Sequence, residues 1–409
     1  MRLYLTLAVR NLFRNRRRTL ITLAAMGFGA AAVIVFGGFV HSVYFRLREA
    51  TIRSQLGHIQ IYRRGYSEKG HIAPYDYLIT GYESLHAELT KMEHVKMVTP
   101  RLGFSGLIST GETTTSFLGT GVDPDGELDL SSLAVIIEGR DLAKRDPRGI
   151  ILGVGLARAF GVKPGDELTL LSATTGGAIS ALAVRVRGVW ESGDKAYDDR
   201  FLRAPISEVQ RLLDVEHAEV QSVVLLLDQT ENTALVRDQL TRLIAERGLD
   251  LEVKTWDELA VRYHQVRNIF ARIFQLITWV VTILVVFSII NTMTMAIFER
   301  TREIGTIMAM GTRGRRVISM FLTEGIALGV VGGILGIGLG IVLARLVNSL
   351  GLQLPPAPGS NRNIFVTIYL VPEVLAQAFQ LSLLTAALAS IYPAWRASRL
   401  NVVDALRHV

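Results

Sequence analysis

The chain has 409 residues, of which 49% are hydrophobic and 20% are charged, below the roughly 25% charge of an ordinary soluble domain. It contains no cysteine, which excludes a disulfide framework, a thiolate metal site and a cysteine nucleophile. The net charge of +7 comes mainly from arginines beside apolar segments. This distribution is typical of a protein in a membrane with anionic lipid rather than of a nucleic-acid-binding protein.

Four apolar segments are long enough to span a membrane, which requires about 20 residues in a helix. The predicted transmembrane helices are residues 19–45, 273–298, 317–345 and 374–395. The first is too long for the apolar region of a cleaved signal peptide, which has about 7–15 residues. We therefore predict a multi-pass protein with four retained transmembrane helices.

The distribution of arginine predicts how these helices are oriented. Arginines cluster in residues 1–18, 299–316 and 396–409, whereas the loop 346–373 holds few. Positive charge near helix ends stays on the cytoplasmic side. We therefore predict cytoplasmic termini, a cytoplasmic loop at 299–316, and a large extracytoplasmic region at 46–272.

The region 46–272 has the pattern of a mixed α/β domain carried on helical stalks. Alternating apolar residues predict strands at Gly57–Tyr62, Glu167–Leu171, Ala181–Trp190 and Glu219–Leu227. Helical spacing predicts helices at Ser84–Met92 and Thr233–Arg247. The amphipathic segment Trp256–Gln275 predicts a stalk continuous with the second transmembrane helix, and Arg46–Ser54 its partner after the first.

Two rows of glycines run along the third transmembrane helix at a spacing of four residues. The rows are Gly325, Gly329 and Gly333, and Gly332, Gly336 and Gly340. Such rows let helix backbones approach closely, within the chain or across a dimer. Glycine is also common in membrane helices without this role. Glu324, at the edge of this helix, is costly to bury, and Arg315 or Arg316 is its predicted partner. Its role is either structural or a direct one in transport.

The loop 299–316 is patterned as a short amphipathic helix. Ile304, Ile307 and Met308 fall on one face, and the charged residues around them are Glu299, Arg300, Arg302 and Glu303. A helix of this kind lies on lipid or docks another protein, and the pattern alone leaves both alternatives open.

Signatures of an enzyme are missing from the sequence. No lysine follows a glycine, which excludes a Walker A loop. The histidines show neither an HExxH motif nor paired metal-ligand spacing. The adjacent pair Asp198 and Asp199 is predicted to lie in a solvated loop. We therefore predict neither catalytic nor metal-binding residues in this chain.

Three separated blocks resemble the MacB/FtsX-type, or type VII mechanotransmission, permeases of ABC transporters. The blocks are Asn11–Leu20, then Glu299–Gly311 with Phe321–Glu324 and the glycine-rich helix, then Tyr392–Leu400 with Asp404–Arg407. Gly57–Ile61, Gly121–Pro124, Gly149–Ala157 and Gly161–Asp166 are similar to the lipoprotein-releasing (LolC/LolE-like) members. The large outer region is also more like MacB than FtsX, whose outer domain is smaller.

The resemblance implies a permease without its own ATPase site. A separate ATPase subunit would bind ATP and Mg and push the segment 299–311, and the second helix and its stalk would relay the motion outward. It also implies a second permease chain, identical or paralogous, a periplasmic carrier or adaptor, contact with membrane lipid, and no nucleic acid. The predicted function is extraction of lipoproteins from the inner membrane. The alternatives are MacB-like efflux of peptides or drugs through an outer-membrane channel, and FtsX-like signalling to a periplasmic enzyme.

In the lipoprotein-releasing members, acyl chains enter between the outer parts of the first two transmembrane helices. The resemblance therefore implies a substrate path formed here by Phe36, Phe39, Val40, Val43, Phe270, Phe274 and Ile277. The alternative is that these side chains simply face lipid or pack between helices.

Overall fold

The computed structural model describes residues 16–70, 72–130, 134–146, 148–356, 363–401 and 405. Arg2, Arg10, Arg14 and most of the Asp404–Arg407 motif lie outside the described residues. The described chain divides into two compact units, of which one contains the long apolar helices and the other contains the large sheet.

The described residues form both long and short helices. They are α1 (Arg16–Thr51), α2 (Tyr66–Lys69), α3 (Tyr82–Leu89), α4 (Pro124–Leu130), α5 (Val154–Phe160), α6 (Lys195–Asp198), α7 (Ile206–Leu213), α8 (Thr233–Arg247), α9 (Trp256–Leu259), α10 (Val261–Glu299), α11 (Thr301–Ala309), α12 (Gly314–Leu350) and α13 (Pro372–Ala397). A π-helical turn, Ile52–Leu56, follows α1, and single 3-10 turns lie at Pro74–Tyr77 and Thr230–Asn232.

The strands are β1 (Ile59–Arg63), β2 (Val95–Ser109), β3 (Thr114–Val122), β4 (Val135–Gly139), β5 (Gly149–Gly153), β6 (Glu167–Ala173), β7 (Ile179–Glu191), β8 (Phe201–Pro205), β9 (Ser222–Leu227), β10 (Leu251–Thr255), β11 (Gln353–Leu354) and β12 (Ile364–Phe365).

Four helices in the described part of the chain are long and apolar enough to cross a membrane. They are α1, α10, α12 and α13, and they correspond to the four predicted segments. The fold class is therefore as predicted, with a mixed α/β domain inserted between the first and second of these helices. Much of the apolar surface of α10 is exposed, as suits a helix in contact with lipid.

The large sheet has the strand order β10-β1-β9-β2-β3-β8-β5-β7-β4, and β6 pairs with both β2 and β7. It is mixed, since β3 pairs with β8 and β5 pairs with β7 in parallel. The other pairings among these strands are antiparallel. The predicted mixed α/β architecture of this region is confirmed.

Strand β9 shows how the sheet carries the two stalks. Val223 and Leu225 belong to a core that includes residues of α3 and α8 on one face of the sheet. Val224 and Leu226 belong to a separate core on the other face, which contains residues of both stalks. Because β9 is buried on both faces, its sequence is a continuous run of apolar residues rather than an alternation of apolar and polar ones.

The second stalk differs from its prediction as one continuous helix. Thr255 and Glu258 form a capping box that starts α9. Ala260 then leaves the helical conformation, with φ −84° and ψ 57°. A new helix, α10, begins at Val261. The capping box satisfies backbone donors at the start of α9 that have no partner within the helix, and the break at Ala260 separates this single turn from α10.

The prediction of a solvated Asp198 is wrong. Its side chain is fully buried and accepts hydrogen bonds from the Ser192 backbone N–H at 2.9 Å and from Ser192 Oγ at 2.7 Å. Asp199 pairs with Lys195 at 2.8 Å. These bonds compensate the burial of the carboxylate, so the adjacent acids are structural parts of the turn between β7 and β8.

Candidate functional site

The short helix α11 is separated from α10 by Arg300, whose backbone leaves the helical region at φ −111°, ψ 12°. Thr301, Ile304 and Gly305 form its buried stripe. Ile304 belongs to the same core as residues of α10, α12 and α13. The helix is therefore held firmly against the long helices of its unit.

The opposite face of α11 is exposed and mixes charge with apolar surface. Arg302, Glu303 and Thr306 are exposed. Ile307 and Met310 are 37% and 74% exposed. Exposed apolar anchors flanked by both signs of charge are a composition suited to docking another protein. The exposure of Met310 was missed by sequence reasoning, because this residue lies just beyond the end of α11.

The predicted apolar face of the 299–316 loop is only partly correct. The inward stripe follows positions 301, 304, 305 and 308, where Met308 is half-buried. Ile307 lies beside that stripe and is exposed. Arg300, predicted to lie beside this face, and Ile304, predicted to form part of it, are only 7% and 2% exposed. Both therefore lie beneath the exposed face of α11.

Arg300 makes a buried contact with Glu324 of α12. Arg300 Nη1 lies 3.6 Å from Glu324 Oε2, and both side chains are under 10% exposed. Glu324 Oε2 has no hydrogen-bond partner among the described residues. The predicted partners, Arg315 and Arg316, are exposed and precede Glu324 by about two helical turns. That prediction is wrong. The chain turns back between α10 and α12, and Arg300, which follows α10, thereby lies next to Glu324.

Glu299, also predicted to take part in coupling, ties α10 to α1. Arg18 Nη2 donates a hydrogen bond to Glu299 Oε1. The hydroxyls of Thr22 and Thr292 lie 2.5 Å apart, and Arg18 Nη1 lies 3.4 Å from the Thr292 carbonyl. The end of α10 that leads into α11 is therefore fastened to the first transmembrane helix.

The C-terminal end of α13 adds a basic, partly aromatic surface next to Thr301. A cavity of about 430 Å³ is lined by Thr301, Trp395, Arg396, Arg399, Leu400, Asn401 and Ala405. The Arg399 guanidinium lies 4.3 Å from the centre of the Trp395 ring. The start of α11 and the C-terminal end of α13 therefore share one cavity.

Three of the four aromatic residues predicted to form a substrate path, Phe36, Phe39 and Phe274, lie in one cluster. The rings of Phe36 and Phe274 are 6.1 Å apart and 11° from parallel, and those of Phe36 and Phe39 are 6.4 Å apart. A Cβ at Gly37 would lie 3.2 Å from Phe274 Cε2. The side chains thus fill the space between α1 and α10 at this level.

The remaining members of the predicted path surround this cluster less tightly. Val40 is 5% exposed, whereas Val43, Phe270 and Ile277 are half-buried on their helices. Whether an acyl chain passes here remains a prediction.

The two glycine rows of α12 face two different helices of the same chain. Gly325, Gly329 and Gly333 face α13, where a Cβ at Gly329 would lie 3.0 Å from Ala386 Cβ. Gly332, Gly336 and Gly340 face α1, where a Cβ at Gly332 would lie 2.9 Å from Met26 Cβ. Missing side chains let α12 approach both neighbours closely.

No cluster of three or more histidine, aspartate or glutamate residues in the described ranges is placed to hold a metal ion.

Two family models match the chain. The MacB-like periplasmic core domain matches residues 19–243, and the FtsX-like permease C-terminal domain matches residues 276–402. Together they cover the outer domain and the helices that carry α11.

Curated relatives include two kinds of transporter. The lipoprotein-releasing system transmembrane protein LolE of Haemophilus influenzae is 23% identical over 347 residues, which is 80% of each chain. LolC of Neisseria meningitidis is 26% identical over 63% of this chain and 65% of its own. The macrolide export ATP-binding/permease protein MacB of Psychrobacter cryohalolentis is 27% identical over 56% of this chain but only 33% of its own length.

Among solved structures, the periplasmic region of MacB from Actinobacillus actinomycetemcomitans is 19% identical, with a TM-score of 0.39. The match covers 51% of this chain and 92% of that one.

The core-domain model alone matches more than half of the 409 residues, and the second model matches the segment from α10 to the end of α13. The chain therefore belongs to the MacB/FtsX-type family of ABC transporter permeases.

Proposed function

We propose that this chain is a permease subunit that releases lipoproteins from the inner membrane, driven by ATP hydrolysis in a separate subunit. The observation that carries this proposal is the similarity to LolE, which extends over 80% of both chains. The similarity to MacB covers only a third of that longer protein, which is named as both ATP-binding and permease.

In this proposal, a separate ATPase docks on the exposed face of α11. Arg302, Glu303, Ile307 and Met310 supply charge and apolar anchors. The buried stripe of α11 contacts the cores of the long helices, so a push on the docking face is transmitted to α10 and α12. ATP and Mg belong to the ATPase, and the permease chain needs no cofactor of its own.

The proposed orientation places α11 and both termini in the cytoplasm and the large sheet in the periplasm, since arginines cluster at the α11 side. A second permease chain and a periplasmic carrier complete the proposed assembly. The acyl chains of the cargo enter between α1 and α10 by parting the Phe36, Phe39 and Phe274 cluster.

The cargo itself tests the proposal. The complex is purified with its ATPase, and bound molecules are identified by mass spectrometry after photocrosslinking from position 39 or 274. Capture of a triacylated polypeptide supports lipoprotein release. Capture of a free peptide or small amphiphile supports MacB-like efflux instead. Failure of the probes at positions 39 and 274 to capture any cargo would rule out the proposed path between the helices.

A further inference from the structure

Stalk one consists of the end of α1, from Arg46, and the turn Ile52–Leu56. Beneath its end, the outer domain contains a buried cluster of one acid and two arginines. Arg101 on β2, Arg203 on β8 and Glu127 on α4 are 9%, 2% and 5% exposed. Arg101 Nη2 lies 2.8 Å from Glu127 Oε1, and Arg203 Nη1 lies 3.1 Å from the same oxygen. We call these three residues the stalk joint.

The arginines of the stalk joint hold the last backbone carbonyls of stalk one. Arg203 Nη2 donates to the Ser54 carbonyl at 2.6 Å, and Arg101 Nη1 donates to the Gln55 carbonyl. Gln60 Nε2 of β1 donates to the next carbonyl, that of Leu56, at 2.7 Å. Carbonyls at a helix end lack partners within the helix, and here three in succession are capped by buried side chains of the sheet.

Glu127 makes this arrangement possible. Burial alone lowers the pKa of the Arg203 guanidinium, but the nearby Glu127 carboxylate outweighs that effect and raises the pKa above its ordinary value. The Arg203 guanidinium also lies 4.3 Å from the centre of the Trp190 ring. The acid therefore compensates the positive charges of two buried arginines and holds them in place at the negative end of the helix dipole.

The stalk joint attaches stalk one to the middle of the sheet. The covalent path from this stalk leads through Gly57 into β1, which lies next to the edge strand β10. Arg101 and Arg203 instead connect the stalk to β2 and β8, two and four strands farther in. A pull on β1 alone would first break the hydrogen bonds of that strand, whereas the joint distributes the load over several strands.

Stalk two, which comprises α9 and the start of α10, is attached by apolar packing, since Trp256, Ala260 and Tyr263 lie in one core with Val224 and Leu226 of β9. It continues from the edge strand β10 through the break at Ala260. Its ion pair, Arg262 with Asp194, has side chains 46% and 24% exposed. Exposed pairs contribute little to stability and are screened by salt. The two stalks are therefore held in different ways, and the end of stalk one is the one held by buried arginines of β2 and β8.

We propose that Arg101, Glu127 and Arg203 are positioning residues for transport, through which stalk one moves the outer domain as a single body when the ATPase turns over. The proposal rests on the proposed function as an ATP-driven permease. It adds which stalk carries the motion into the sheet and through which side chains.

The test measures motion and transport separately. The cysteine-free chain is spin-labelled at Ala178→Cys and Ala309→Cys and assembled with its ATPase in lipid nanodiscs. The measurements are the change in distance between the labels on adding ATP, the rate of ATP hydrolysis, and the release of a triacylated lipoprotein. The variants are Glu127→Gln and Arg203→Lys, and the control is Arg185→Gln, which breaks an exposed pair with Glu167.

We expect Glu127→Gln to keep ATP hydrolysis within two-fold, to lose the ATP-dependent distance change, and to release lipoprotein at least ten-fold more slowly. Arg203→Lys, which keeps the charge beside Glu127, should show a smaller loss, and the control should match the unmodified chain. If Glu127→Gln does not fold, as judged by hydrogen exchange, Arg203→Lys decides the outcome.

A normal distance change and normal release in the folded variants would overturn the proposed role of the stalk joint. A parallel fall of hydrolysis and release would also overturn it, because it would indicate a defect in assembly rather than in transmission. If the unmodified complex shows the distance change but releases no lipoprotein, the proposed cargo is wrong while the role of the joint stands.

Discussion

A buried glutamate faces arginine in each of the two units, yet the two contacts differ in strength. In the helical unit, Glu324 meets one arginine at 3.6 Å. In the outer domain, Glu127 meets two arginines at 2.8 and 3.1 Å, and both arginines also bind backbone carbonyls. The Glu324 contact is long and leaves one carboxylate oxygen without a hydrogen bond among the described residues, whereas the stalk joint is closely bonded. The proposed transmission of a push needs both a contact that can rearrange and a joint that keeps its shape.

The largest expected effect comes from Glu127→Ala. Removing this acid leaves two uncompensated buried arginines, which should destabilise the outer domain by about 3–5 kcal/mol. Native-state hydrogen exchange of the β2 amides in the full chain measures this loss. Glu324→Ala is the matched variant and should cost less, because it uncovers one arginine without breaking a hydrogen bond. An equal cost at both positions would remove the distinction between the two contacts.

A second expected effect is a loss of stability in acid that depends on His58. This ring is fully buried, and its Nδ1 accepts a hydrogen bond from the Leu227 backbone N–H at 3.1 Å. Burial, aided by Arg53, lowers the pKa of His58 to about 4. The unfolded chain takes up the proton near pH 6.5, so the stability contributed above that pH is lost as the pH falls toward 4.

The loss should be about 3 kcal/mol at pH 4 relative to pH 7. It is measured as the change with pH in the exchange of the β9 amides. His58→Gln has no titrating ring, so its dependence on pH over this window should be weaker by that amount. The same dependence in both proteins would show that His58 is not the group responsible.

The stability of the helical unit should be sensitive to side-chain volume added at the glycines of α12. Gly336→Val places methyl groups against Ala30 of α1, and overpacking of this kind costs about 1–3 kcal/mol. A Cβ at Gly338, two residues along the same helix, would meet no neighbouring atom of the described chain within 4 Å. Gly338→Val is therefore the control, and thermal unfolding in detergent should separate the two variants. Equal midpoints would indicate that α12 does not need a close approach to α1.

The smallest expected effect is confined to coupling. Glu303→Lys reverses one exposed charge beside the apolar anchors of α11, which should weaken stimulation of the ATPase about ten-fold, or about 1.4 kcal/mol. Insertion and folding should be unchanged. Glu112→Lys, an exposed reversal on the β2–β3 hairpin, is the control. Normal stimulation by the Glu303 variant would mean that α11 lies on lipid instead of docking the ATPase.

Sequence patterns predicted the parts of the fold that depend on local periodicity. The apolar segments and α8 follow from such patterns, and α8 has the predicted bounds of Thr233–Arg247. Strand β2 was not predicted, because Pro100, Gly103 and Gly106 interrupt any alternation along it. Its length is set by pairing with three other strands, and such pairing leaves no local signal.

The same limit applies to the candidate sites. The aromatic residues of α1 and α10 were predicted to gather at one level of the helices, because depth in a membrane helix follows from chain position. The partner of Glu324 was predicted among neighbours in sequence, whereas the observed partner lies beyond a chain reversal. The stalk joint combines residues from β2, α4 and β8, and only tertiary structure brings them together.

The difference between the Arg300–Glu324 contact and the stalk joint is tested most directly by hydrogen exchange in the complete complex with its ATPase. We expect ATP to change the exchange of amides in α11 and around Glu324. We expect amides at Leu56, Gly57, Arg101 and Arg203 to keep the same protection with and without ATP. Increased exchange at the stalk joint during turnover, with α11 unchanged, would contradict this expectation.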